Sequence, residues 1–318
     1  MPSQPVRNVF AGPYVDRSSG LRKDAAWVEA SLVDPASRFV PVWQHRSLLR
    51  MLPEPAAVLL ERAAVDGVAD FAAADAILLG RFEGAACFAV ELDPLAPPLL
   101  AAGAEFTDLR LAAGLLPPAE AGLLGYARAM VYWRQRHRYC GACGTVTVPQ
   151  QAGHVMSCPR PGCGSEAFPR IDPAIIVLVT DDERALLGRQ ASWPAGRYST
   201  IAGFVEPGES FEDAVVREVR EETGVEVVDA SYQSSQPWPF PSSLMIGFLA
   251  RAGATTISHP DGELEDARWF TRDDLASGTP ALPPPQSISF RLIADWYQQG
   301  TGRALKDEPG ARLWPLRR

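Results

Sequence analysis

The sequence predicts an α+β protein made of two larger parts joined by a small cysteine-rich module. Strand-like runs such as AIIVLVT at 174–180 and RALLGRQ at 184–190 are mixed with helical periods. Four of the five cysteines crowd between Cys140 and Cys163, and the pattern changes on either side of them. Domains are therefore expected at 1–137, 138–168 and 169–318. With 318 residues, 47% of them hydrophobic, the chain has ample material for more than one core. A net charge of −8 supplies no chain-wide reason to cling to phosphate polymers or anionic membranes. No apolar run approaches the roughly 18 residues of a membrane span. The opening MPSQPVRNVF lacks the basic start and apolar core of a secretory signal, so a soluble, cytoplasmic protein is expected.

In chain order, PAAVLLERAA at 55–64 reads as helix, and AILLGRFEGAACFAVEL at 76–92 as a hairpin turning near Glu83-Gly84. Cys87, inside that apolar run, reads as a buried small hydrophobe. Pro94, Pro97 and Pro98 break the chain before AEAGLLGYARAMVYWRQRH at 119–137, a long helix leading into the cysteines as a strut. From Pro169 come two strands joined by a polar DDE turn, a glutamate-rich helix, and the strand-like VEVVDASY, LMIGFLARA and ARWF. Pro283-Pro284-Pro285 then precedes a closing helix, SISFRLIADWYQQ. ILLGR at 77–81 echoes ALLGR at 185–189. Two accounts stand: the first part is a relative of the last that lacks the glutamate run, or two amphipathic strands match by chance.

Cys140-x2-Cys143, fourteen residues, then Cys158-x4-Cys163 has the paired-knuckle spacing with which four thiolates close a tetrahedron around Zn²⁺. Gly141, Gly144, Gly162 and Gly164 flank the ligands. Four protein sulfurs leave no open position, so the metal is expected to be structural. His154 lies in the intervening loop as a spare candidate ligand. The basic approach from Arg134 to Arg138 suits either RNA phosphates or the dipole of the helix it ends.

GFVEPGESFEDAVVREVREETGV, Gly203 to Val225, holds six glutamates. With Ser210 as cap, Asp213 in the first turn and Gly224 as terminator, the helix should reach Thr223. At about 100° per residue, Phe211, Val215, Glu218 and Glu222 share one narrow stripe, so a core-facing stripe ends in two carboxylates. Like charges at i, i+4 repel, and half-buried carboxylates are costly without compensation. Mg²⁺ or Mn²⁺, which prefers hard oxygen ligands, would compensate them beside a diphosphate. A solvated, charged helix face is the other reading. Arg217, four residues before Glu221, is placed to hold it.

The pattern Gly203-x5-Glu209-x7-Arg217-Glu218-Val219-x-Glu221-Glu222-x-Gly224-Val225 resembles the complete Nudix box. That resemblance implies a mixed sheet between helices, an α/β/α arrangement, and hydrolysis of a nucleoside diphosphate linked to a further group. It carries Glu218 and Glu222 over as metal ligands, Glu221 as a further ligand or base, and Glu209 as a support for the loop.

Ten residues on, SQPWPFPSSLM alternates prolines with Trp238 and Phe240, a stiff backbone offering flat faces to a base ring, with Gln236 and Ser243 as hydrogen-bonding groups. A strand edge packed on the core is the alternative. Together the cysteines, FPRIDPAIIVLV at 168–179, the box and SQPWPFP resemble the NADH pyrophosphatase branch of the Nudix hydrolases, over 140–293 and more faintly in the first part. This implies cleavage of NADH or NAD to nicotinamide mononucleotide and AMP, removal of NAD caps from RNA 5′ ends, and a homodimer whose pocket involves both subunits. It carries over Gln236, Pro237, Trp238, Pro239, Phe240, Pro241, Ser242 and Ser243 as substrate contacts, and Ala202, through its carbonyl, and Glu263 as metal contacts beside Glu218, Glu221 and Glu222. Two departures are visible. Phe168 stands where the family usually has a tyrosine that contacts substrate, and Ser289-Phe290 where an Ala-Arg pair is usual. Phe204 is a candidate partner for the nicotinamide ring. A broader ADP-ribose or dinucleotide hydrolase and a non-catalytic zinc-ribbon RNA-binding protein are the rival readings.

Overall fold

The fold is that of a computed structural model, which describes residues 7–66, 76–93, 95, 103–258 and 262–315. Pro94, Pro97 and Pro98 lie outside the described residues. The chain divides into two compact units: one is Phe10–Ile171 with Trp238–Ser242, the other the segment ending at Val9, Asp172–Pro237, and the chain from Ser243 onward.

In the first unit, α1 (Ala25–Val33) is capped by Asp24, whose side chain accepts from the Trp27 backbone N–H. There follow β1 (Arg38–Trp43), β2 (Arg46–Arg50), β3 (Ala56–Ala57), α2 (Arg62–Asp66), β4 (Ala76–Phe82), β5 (Ala85–Glu91), β6 (Ala104–Thr107), α3 (Leu109–Ala112) and α4 (Pro118–Arg136). The sheet runs β3-β2-β1-β5-β4, with β6 also on β2, and β1 and β5 pair in parallel. The β4–β5 hairpin turns at Glu83-Gly84, both at positive φ (51° and 86°), the backbone of a tight two-residue hairpin turn. Cys87 is buried on β5, and burial pushes its thiol up to about 12.

The helix expected over 55–64 is not there. Ala56 and Ala57 pair with β2, and Leu60 exchanges both backbone hydrogen bonds with Phe39; helix begins only at Arg62. Sheet pairing next to a buried cluster of Leu48, Phe39 and Leu60 outweighs the helical period of a short apolar run. The strut expected at 119–137 is α4, which packs on the sheet and buries Leu123, Leu124, Ala127 and Val131. It leads into β7 (Val148–Gln150), β8 (Val155–Ser157) and β9 (Glu166–Ala167), an antiparallel three-stranded ribbon. The ribbon's loop is tied to β4: the Leu78 N–H donates to the Ala152 carbonyl, and His154 Nε2 donates to the Leu78 carbonyl at 2.7 Å.

The second unit contains β10 (Asp172–Thr180), β11 (Arg184–Arg189), β12 (Ile201–Phe204), α5 (Phe211–Thr223), β13 (Val227–Trp238), β14 (Ser243–Ala252), β15 (Asp266–Thr271), α6 (Arg272–Ser277) and α7 (Ile288–Thr301). Its sheet runs β13-β14-β10-β11-β15, with β12 on β10, and β10 and β14 pair in parallel. Along β10 the two-residue period sorts the faces. Ile175, Val177 and Val179 meet Ala214, Val215 and Val219 of α5, while Ile176 and Leu178 meet Leu292, Ile293 and Trp296 of α7. This is the mixed sheet between helices that the resemblance implied, and burying each such side chain is worth roughly 1.5–3 kcal/mol.

The two units share a strand order: β4-β5-β1-β2-β6 in one follows the same path as β13-β14-β10-β11-β15 in the other, including a central parallel pair. The ILLGR–ALLGR echo does not join equivalent strands. ILLGR is in β4, whose counterpart is β13, and ALLGR is in β11, whose counterpart is β2. The repeat is real in topology, and the five-residue match is coincidental.

Candidate active site

Helix α5 begins where its sequence says. The Ser210 side chain accepts from the Asp213 N–H, the Asp213 carboxylate accepts from the Ser210 N–H, and Gly224 closes the helix at φ 71°. Ala214, Val215 and Val219 are buried against the sheet, and the same side of the helix carries Glu222, only 4% exposed, and the half-buried Glu218. Phe211, expected on this stripe, is 41% exposed, because the first helical residue lies short of the hydrophobic layer that α5 covers.

Strand β12 lies antiparallel to β10, pairing Ile176 with Ala202, Ile175 with Gly203 and Ala174 with Phe204. Gly203 is the place where helix and strand touch: a Cβ there would sit 1.9 Å from the Glu218 carboxylate. Arg217 gathers the acids around this contact. Its Nε and Nη2 donate to the two Glu209 oxygens at 2.6 and 2.9 Å, Nη1 to Glu218 at 2.9 Å and Glu221 at 3.0 Å, and Nη2 also to the Phe204 carbonyl. Glu209 in turn accepts from the Glu206 N–H. The Arg217 guanidinium holds the Glu209 carboxyl down to about 2. Glu218 moves the other way: burial raises it, and the charges of Glu221 and Glu263 add to the rise against the opposing pull of Arg217. Glu263 is exposed, in the turn before β15.

A half-buried carboxylate that desolvation, aided by neighbouring acids, pushes towards protonation is suited to a cation. Hard oxygen donors fit Mg²⁺ or Mn²⁺, which keeps waters and takes only one or two carboxylates beside substrate phosphates. The cysteines are gathered more tightly. Among the described residues, they are the group of three or more potential ligands whose donor atoms all lie within 4.8 Å of one another. Cys140–Cys163 and Cys143–Cys158 sulfurs are 3.8 and 3.5 Å apart, close to the about 3.8 Å edge of a Zn–S₄ tetrahedron. Gly144 and Gly164, each following a ligand, take positive φ (73° and 60°) to turn the knuckles. The Thr145 hydroxyl and backbone pull the Cys143 thiol down to about 6. His154 stands outside this group; it is buried, and burial lowers it to about 4, so it is a neutral donor to Leu78. At the end of α4, Arg138 is paired with Glu91 at 3.1 Å and Arg134 is buried.

The SQPWPFPSS segment is divided. Gln236 is fully buried: its Oε1 accepts from the Ile288 N–H at 2.8 Å, and its Nε2 donates to the Gln286 and Val9 carbonyls. Pro239 is buried, Pro237 and Ser243 are half-buried, and Pro241 is exposed. Trp238 and Phe240 meet edge to face at 5.1 Å. Arg128 of α4, which sequence reasoning did not single out, lies 4.8 Å from the Phe240 ring centroid and donates to the Pro239 and His45 carbonyls. An arginine set inside the otherwise uncharged run AGLLGYARAMVYW of that helix is the signal that could have found it. Ser289 is buried, its hydroxyl bonded to Ser199 and Thr200. Phe204 and Phe168 are 61% and 60% exposed, each on its own unit.

Three family models match in succession: an NADH pyrophosphatase-like rudimentary NUDIX domain at 36–133, an NADH pyrophosphatase zinc ribbon domain at 135–168, and a NUDIX domain at 170–292. The chain is 44% identical over 233 residues to a NAD-capped RNA hydrolase NudC of Stutzerimonas stutzeri, covering 73% of this chain and 81% of that one. It is 40% identical over 303 residues to a NudC of the same description from Mycobacterium bovis, covering 88% and 92%. With the human NAD-capped RNA hydrolase NUDT12 it shares 42% over 198 residues, 58% of this chain and 43% of that longer one. A glutamate helix seated on a glycine of the neighbouring strand, a four-cysteine ribbon and a second sheet of like topology coincide with these matches, and the chain belongs to the Nudix hydrolase family.

Proposed function

We propose that the chain hydrolyses the diphosphate of NADH and NAD to nicotinamide mononucleotide and AMP, and removes NAD caps from RNA 5′ ends. The observation that carries this reading is the contact of Glu218 with Gly203, held by Arg217 beside the buried Glu222. The names of the relatives supply the substrate. Glu218, Glu222 and Glu263, with Glu221 and the Ala202 carbonyl, are the residues that would hold Mg²⁺ or Mn²⁺. Such ions neutralise a diphosphate and lower the pKa of bound water.

The chain's own residues then have distinct tasks. Arg217 sets the carboxylates in register. Glu221, exposed and on the Arg217 fork, and Glu222, buried, are the two candidates to take the proton of the water that attacks phosphorus. Phe204 and Phe168 each expose a ring suited to stacking on a base, and Trp238 to Ser243 are the proposed substrate wall. Zinc in the ribbon is structural. The reading includes the division at 1–137, 138–168 and 169–318, a homodimer, and a cytoplasmic location; among the described residues no helix is long and apolar enough to cross a membrane.

The experiment is a product assay on one purified preparation with Mg²⁺ or Mn²⁺, comparing NADH, NAD, NAD-capped RNA and ADP-ribose. Release of nicotinamide mononucleotide and AMP, lost in Glu222→Gln, is expected. A folded Glu222→Gln protein with undiminished turnover would refute the assignment. The inward-turned Gln236 removes one polar contact from substrate and favours a broader dinucleotide hydrolase as the second reading, which equal rates on ADP-ribose and NADH would establish.

A further inference from the structure

Residues 8–10 lie along the end of β13. β13 is an edge strand, so the backbone at its end lacks a full set of sheet partners. Asn8 supplies one: its Nδ2 donates to Ser235 O at 2.9 Å, and also to Ser234 Oγ at 3.0 Å, while its Oδ1 accepts from Arg291 at 3.2 Å. The next carbonyl, of Val9, accepts from the buried Gln236 amide at 3.3 Å. Phe10 then turns its ring edge towards Phe240 at 5.8 Å and Trp238 at 6.4 Å. Three successive residues thus meet 234 and 235, then 236, then 238 and 240, in step along the motif.

The Phe10 backbone sits at φ 72°, a left-handed conformation that is unfavourable for a residue with a side chain. Its ring is buried, and α4 makes room for it: a Cβ on Gly125 would lie 2.8 Å from the Phe10 ring. A glycine inside a helix is less favourable than alanine there. Two local penalties are therefore borne to seat one side chain against Trp238 and Phe240.

We infer that Asn8–Phe10 is a positioning strap that sets the Ser234–Phe240 segment, and with it the discrimination between dinucleotides and smaller diphosphates. The inference rests on the proposed substrate wall at Trp238 to Ser243. The strap touches none of Glu218, Glu221 or Glu222, so its loss acts on recognition of the group beyond the diphosphate and leaves the hydrolytic step alone.

The test is steady-state kinetics of the full chain with NADH and ADP-ribose, for Phe10→Ala, Asn8→Ala and Phe10→Leu, with thermal midpoints recorded alongside. Phe10→Ala is expected to raise KM for NADH about five- to ten-fold with kcat within about two-fold, to leave both ADP-ribose parameters within about two-fold, and to be largely rescued by Phe10→Leu. Asn8→Ala shifts the same parameter in the same direction and carries the test should Phe10→Ala fold poorly. NADH and ADP-ribose constants moving together, or an unchanged KM for NADH in folded Phe10→Ala and Asn8→Ala proteins, overturns the strap. An unsubstituted protein inert towards NADH overturns the substrate reading instead, before any variant is compared.

Discussion

The carboxylate of Glu218 occupies the space where a side chain on Gly203 would begin, so that the Cβ of an alanine at this position would fall 1.9 Å from it. Gly203 takes no left-handed φ, so alanine is compatible with its backbone and only the neighbour must move. Displacing a reacting constellation by about an ångström costs on the order of 100-fold in rate. Gly203→Ala should therefore lower kcat/KM by roughly that factor with little change in thermal midpoint. Full activity in the folded variant would break the link between this contact and catalysis.

Arg217 and Glu209 give a pH signature. The folded Glu209 carboxyl is held down to about 2, whereas a glutamate in an unfolded chain titrates near about 4.3. Its contribution to stability is fully present above the unfolded value and is lost as pH falls from there towards about 2. Thermal midpoints measured across that window should fall in the unsubstituted protein and fall less steeply in Arg217→Gln. Parallel curves would mean that the fork with Glu209 contributes nothing to the fold.

What can be read in the sequence is local. Ser210, Asp213 and Gly224 bound α5 because caps act within a turn of themselves, and Glu83-Gly84 turns the hairpin for the same reason. A 3.6-residue period says which residues share a side but not how far the sheet beneath extends, so Phe211 is expected inside and lies outside. The run at 55–64 reads as helix because its strand partners are invisible in sequence: β2 and Phe39 decide it. At the site, the Glu218–Arg217–Glu209 constellation is legible as spacing, while the inward turn of Gln236 depends on a backbone N–H fifty-two residues away, at Ile288.

The ribbon predicts a metal count. Four sulfurs lie within 4.8 Å; hydrogen bonds lower the thiols of Cys140 and Cys143, while at Cys158 the pull of the Arg160 backbone is outweighed by burial and the three neighbouring sulfurs, which push it up to about 12, so the four cannot all become thiolates without a cation. Metal analysis by mass spectrometry should find about one zinc per chain, and Cys143→Ser should lose it and lower the thermal midpoint. A metal-free preparation with an unchanged midpoint after chelation would show that the knuckles stand without zinc.

Gln236 separates a structural from a substrate-binding role within the aromatic motif. Its side chain receives the Ile288 N–H, one of the N–H groups at the start of α7 that the helix itself cannot satisfy, and donates to the Gln286 and Val9 carbonyls. Gln236→Ala leaves these groups buried and unpaired, which costs roughly 1–3 kcal/mol for a lost buried partner. In a domain of this size that lowers the thermal midpoint by roughly 2–12 °C. Gln236→Glu is worse, because a carboxylate can accept from Ile288 but cannot donate to either carbonyl. A substrate contact gives the opposite pattern: an unchanged midpoint and a raised KM for NADH. Calorimetry and kinetics on the same two variants decide between them, and a normal midpoint in both would mean that Gln236 does not lock α7 to the motif.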